Sequence, residues 1–151
     1  MAKYATQGDQ ALAATKISSL TIASNATTVQ RNKVAEFNIA DQGTPADNVV
    51  VHTVQRCTAL GTNTAVTPTK LDNADRAAQA LIGSNHTAGE PTYTAGELLW
   101  RMGLNTRASY RWVAVPGYEW ITPATAASGI GWAALHASAT TIWEVSITFE
   151  E

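Results

Sequence analysis

The sequence predicts a mainly all-β fold, an antiparallel β-sandwich or jelly-roll-like barrel with one short helix. Two observations lead there. About eight short segments are rich in β-branched and aromatic residues, and turn signals recur roughly every ten residues. One further segment alone carries helix signals. A chain of 151 residues, 45% of them hydrophobic, is long enough to bury a full core in one domain. All five Trp lie from Trp100 onward, so the second half is expected to hold the densest packing.

In chain order, residues 1–15 are Ala/Gln/Thr-rich and weakly patterned, and read as an N-terminal arm, extended or with a short helix at Gln10–Thr15. The single β-sandwich domain then covers 16–151. Lys16–Ile22 is a first strand, although Ile17 and Leu20 fall on mismatched parity. Lys33–Ile39 alternates, with Ala35, Phe37 and Ile39 on one face. Asp41–Asn48 is a turn, where Pro45 fixes φ and Gly43 permits a positive one. Val49–Arg56 is a β-branched strand, and a short strand is expected at Thr64–Thr67. Asp72 reads as an N-cap, Ala-rich positions follow, and Gly83 suits a C′ position, which predicts a helix over Asn73–Leu81. Ser84–Gly96 reads as a long polar loop, of a length often used for interaction. Glu97–Leu104 and Tyr110–Val115 are strands, with Trp100 and Trp112 on inward faces and Arg101 and Arg111 on outward ones. Pro116-Gly117 turns the chain into Tyr118–Thr122. Ile130–Leu135 and Thr141–Glu150 follow, the last with Trp143, Val145, Ile147 and Phe149 inward.

Composition narrows the function. A net charge of −2 supplies no basic field for a phosphate backbone, so no nucleic-acid partner is expected. The N-terminal stretch has no apolar secretory region, and no run approaches the ~18 apolar residues of a membrane span. A soluble protein made in the cytoplasm, with no membrane partner, is therefore expected. One cysteine, Cys57, allows no internal disulfide. Only 15% of residues are charged, against about 25% typically. Such a surface dehydrates easily against another protein, which favours a subunit of a larger assembly.

No constellation announces chemistry, and neither catalytic residues nor a cofactor are expected. Cys57 and His52 fall on opposite faces of one strand. His52, His86 and His136 have no short metal-ligand spacing, and His86 is expected to be solvated in its loop. Asp41 with Asp47, and Asp72 with Asp75, match no EF-hand loop. Gly129-Ile130-Gly131 precedes a strand, which is the wrong context for a phosphate loop. Arginine beside tryptophan can bind single strands of nucleic acid, but parity separates the two sets here. A carbohydrate-binding β-sandwich module is the alternative, and it needs Trp side chains on an exposed face.

Several phrases carry a likeness: GTPADN (Gly43–Asn48), VQR-x-TA-x-GT (Val54–Thr62), TAVTP (Thr64–Pro68), LD-x-AD-x-AA (Leu71–Ala78), EPTYTAG (Glu90–Gly96), RASYRWVA-x-PG (Arg107–Gly117) and PATA-x-x-GIG (Pro123–Gly131). Through them residues 31–149 resemble the small β-rich head decoration, or cement, proteins of tailed bacteriophages. The resemblance implies a structural virion protein on the capsid exterior that clamps the major capsid protein. It also implies a homo-oligomer, dimer or trimer, and no metal or cofactor. Its contacts are expected at Asp41, Asp47, Asn48, His86, Glu90, Tyr93, Arg101 and Arg111.

Overall fold

The computed structural model describes residues 1–136 and 141–151. Among them lie twelve strands: β1 (Lys3–Ala11), β2 (Ile17–Ala23), β3 (Lys33–Gln42), β4 (Val49–Ala59), β5 (Thr62–Ala65), β6 (Thr69–Lys70), β7 (Leu81–Gly89), β8 (Thr92–Asn105), β9 (Tyr110–Val113), β10 (Trp120–Ile121), β11 (Gly129–Leu135) and β12 (Ile142–Glu150). One six-stranded sheet runs β10-β3-β12-β1-β6, with β9 also on β3, and the other runs β5-β7-β2-β11-β4-β8. Within them β1-β12-β3-β9 lies against β2-β11-β4-β8, the strand order of a two-sheet jelly roll. The expected all-β sandwich is therefore the fold, and the described residues contain no helix.

Alternation builds the core. On β12, Trp143, Val145, Ile147 and Phe149 are buried and the residues between them are not. Across the sandwich they meet Leu20, Ile22, Val50, Val54, Ile130 and Trp132 in one apolar cluster. Where alternation fails in the sequence, the ladder slips. The mismatched parity of Ile17 and Leu20 falls at a register shift against Trp132/Ala133. Val34 replaces Ala35 on the buried face because β3 slips against Thr148/Phe149. A bulge inserts a residue and turns the side chains beyond it over.

Three expected elements are corrected. The N-terminal arm is not free: Lys3–Ala11 is β1, paired along its whole length with β12. Its weak pattern hid a strand whose buried face is Tyr4, Thr6, Gly8 and Gln10. The helix over Asn73–Leu81 is absent. Asp72 does receive the Ala74 N–H at 2.9 Å, but the turn it closes stops there. The Gln79 and Ala80 N–H groups instead donate to the Glu151 carboxylate at 2.8 and 2.7 Å. Long-range pairing thus overrides local propensity.

Ser84–Gly96 is not a loop either. It joins β7 to β8, and with β4 and β5 these make one two-stranded ribbon, paired up to Ala59↔Thr92 and again from Thr62↔Gly89. One half of the ribbon hangs on β11 through β4, and the other on β2 through β7. The ribbon therefore crosses over the β2–β11 pair, bending at repeated register shifts. Strands β2 and β11 are buried on both faces, which explains their nearly continuous burial.

Candidate functional site

Three places hold most of the expected contact residues, which do not form one surface. The first is the end of the sandwich at the β3–β4 turn. Asp47 pairs with Arg107 at 3.2 Å, and Asn105 donates to its other oxygen at 3.4 Å. The Asn48 carbonyl accepts the Thr106 N–H at 2.9 Å, and the Thr106 hydroxyl donates to the Ala46 carbonyl. The β3–β4 and β8–β9 turns are thereby tied to each other. Asp41 stands apart from them at the end of β3. The Thr141 hydroxyl bonds to Asp41 at 3.2 Å, and burial pushes its carboxyl above the ordinary range against that bond.

The second place is the ribbon crossing, which brings Glu90 and Tyr93 together. The Ser18 hydroxyl donates to Glu90 at 2.5 Å and lies 2.7 Å from the Tyr93 hydroxyl. The Ser18 N–H donates to the other Glu90 oxygen at 3.0 Å. Lys16 donates to Gln55 at 2.9 Å and sits 3.7 Å above the Tyr93 ring. Burial lowers the Lys16 pKa, with Glu90 opposing, and raises the Tyr93 phenol. Serine, lysine, tyrosine and a carboxylate are the residue types of a nucleophilic site. Here Ser18 is 0% exposed, and its hydroxyl is spent on two partners. The arrangement clasps the ribbon onto β2. Sequence reasoning missed Lys16 and Ser18, whose signal was the broken parity of the first strand.

His86 corrects another expectation. It is 1% exposed on β7, not solvated, with Nε2 3.4 Å from the Thr21 hydroxyl. Burial lowers its pKa, with Glu90 and the Gly83 and Leu60 carbonyls opposing. The Cys57–His52 pair does not assemble. His52 lies opposite Ala134 and packs edge-on against Trp143, while Cys57 lies opposite Gly129, where burial raises its thiol to about 11.

The third place is the side of the sandwich closed by β8, β9 and β10. Arg101 and Arg111 share no surface, since β8 edges one sheet and β9 the other. Arg111 grips Glu36 with two nitrogens, at 2.6 and 3.1 Å, and holds that carboxyl below its ordinary pKa. Arg101 is exposed opposite Thr53, with no ion pair among the described residues. Between the sheets, Trp100, Trp112 and Trp120 gather around Phe37, with Trp112 and Trp120 stacked at 4.0 Å. These three are half-buried, unlike Trp132 and Trp143, which are fully covered. Leu98 would share the face of Trp100 in an unbroken strand, but it is 47% exposed because β8 slips against Val54/Gln55.

Among the described residues no three His, Cys, Asp or Glu side chains gather where a metal ion could sit. Compared with known proteins, the chain matches no family model, no curated protein and no solved structure.

Proposed function

We propose that the chain is a structural virion protein, a capsid decoration or cement protein. It binds the outer surface of an assembled phage head and stabilises neighbouring major capsid subunits. The jelly-roll strand order is the observation that supports this reading most. Two-sheet jelly rolls recur in viral capsid domains, and also in lectins and cupins, so the support is an analogy of fold. Two further features agree with it. The low charge makes an outer surface that dehydrates easily, and the β3–β4 turn is cross-tied to the β8–β9 turn. A stiff clamp loses little freedom on docking, and weak contacts repeated around a shell, through a dimer or trimer, add by multivalency.

Co-sedimentation with undecorated phage heads tests the reading. Saturable binding at a fixed ratio to the capsid subunit is expected, and it should weaken in an Asp47→Ala/Arg107→Ala chain that still folds. Protein that stays in the supernatant at large excess over heads would overturn it.

The half-buried Trp100, Trp112 and Trp120 favour a second reading, a carbohydrate-binding module. Their rings already stack on Phe37, Tyr110 and one another, which leaves less ring face for a sugar. Titrating Trp fluorescence with oligosaccharides separates the two readings, and an unchanged spectrum is expected.

A further inference from the structure

Strand β1 has a bare edge. Strand β6 pairs with it only at Tyr4↔Lys70 and Ala5↔Thr69. Just upstream the chain leaves for the other sheet, where the Val66 N–H bonds to the Ile82 carbonyl, and Pro68 has no N–H to offer. Over Thr6–Ala11, β1 therefore pairs with β12 alone among the described residues. The Leu71 N–H bonds to the Lys3 carbonyl on this side. Antiparallel ladders alternate, so the N–H and C=O groups of Gln7 and Asp9 face the same free edge.

A groove of about 420 Å³ opens beside it, between Thr6, Gln7 and Val66 and the outer face of β12 and β3 at Asn38, Ser146 and Thr148. It continues past Asp9, Gln10 and Ser84. Two side chains lining it, Thr6 (8% exposed) and Gln10 (6%), have oxygens with no hydrogen-bond partner among the described residues. Buried polar atoms are rarely left so. Asp9 also stands directly opposite Glu144. Like charges in that position repel, and among the described residues Glu144 has only the Gln42 amide against it, at 2.6 Å.

We infer that the Thr6–Ala11 edge of β1 receives an extended segment of another polypeptide, paired as an added strand with a Lys or Arg over Asp9 and Glu144. The backbone supplies the pairing, and the acidic pair supplies the selectivity. A second copy of this chain fits poorly, because edge-to-edge pairing would bring two such acidic pairs together. The inference stands whether or not the partner is a capsid subunit.

Hydrogen exchange on the intact chain tests it, with a capped TVTKTVT heptapeptide as the probe. In the free protein the Gln7 and Asp9 amides exchange fast, while Gly8 and Gln10, bonded to β12, exchange slowly. The peptide slows Gln7 and Asp9. Affinity drops about tenfold when its Lys is replaced by Glu, and again in an Asp9→Asn/Glu144→Gln chain. Three results would overturn the inference: Gln7 and Asp9 protected before peptide is added, no protection at millimolar peptide, or equal binding of the Lys and Glu peptides. A chain that takes the peptide but ignores phage heads loses the capsid reading and keeps this one.

Discussion

At Gly131 the ribbon leaves β11 no room for a side chain: a Cβ there would stand 2.5 Å from the Tyr93 hydroxyl. The phenol cannot yield freely, since it is bonded to Ser18 and lies under Lys16. Gly131→Ala is expected to destabilise the fold by about 1–3 kcal/mol through overpacking. Urea unfolding measures it, and Tyr93→Phe in the same chain should recover part of the loss, because the nearest clashing atom is gone. A double variant as weak as the sum of the singles would show that the crossing is not what Gly131 accommodates. Two glycines flanking Ile130 are visible in the sequence. What they make room for is not, because Tyr93 comes from a segment with no local tie to β11.

The stretch 71–80 is where element-level reading went furthest astray, and Glu151 is the reason. Its carboxylate, 0% exposed, takes the Gln79 and Ala80 N–H groups and lies 3.5 Å from Arg76. The Tyr4 hydroxyl holds the Arg76 carbonyl at 3.0 Å. Together they pin the stretch beside β1 as a strap. Glu151→Ala leaves the part-buried Gln79 and Ala80 N–H groups unpaired, with an expected loss of about 1–3 kcal/mol. Exchange at Gln79 and Ala80 should quicken while β12 stays protected. Equal quickening in both would mean that Glu151 supports the whole sheet and not the strap. Asp72 and the alanines after it are true local signals, and the turn at Asp72 forms. The partner that defeats the helix lies at the far end of the chain, beyond any local window. Strands β3, β4 and β12 were legible because alternation is local, and β11 because its short apolar run follows a glycine-bearing turn. β1 and β7 were not, because their exposed faces are polar and their buried faces carry Thr, Gly, Gln, Ser and His.

The whole molecule is two sheets closed on one core, and His52 brings a titratable ring to their meeting point. His52 of β4 reaches Trp143 of β12 with ring centroids 5.1 Å apart, and neither imidazole nitrogen has a partner among the described residues. The class of fold could be read from strand count and turn spacing. The polar contents of its interior could not, since nothing local distinguishes an inward His from an outward one on a β-branched strand. Burial lowers the His52 pKa from 6.5 to about 4, so the folded protein requires the neutral ring. The unfolded chain takes up a proton below pH 6.5 that the folded one refuses until about pH 4. Stability from this group is therefore complete above pH 6.5 and declines as the pH falls toward 4, by about 3 kcal/mol in all. Asp41, whose pKa is raised, works in the opposite sense and partly offsets the decline. Denaturant midpoints between pH 7 and 4 should fall in the native chain and fall less in His52→Phe, which fills the site without a proton to bind. Parallel curves for the two chains would remove His52 as the cause and leave His86, buried beneath the ribbon, as the group to replace next.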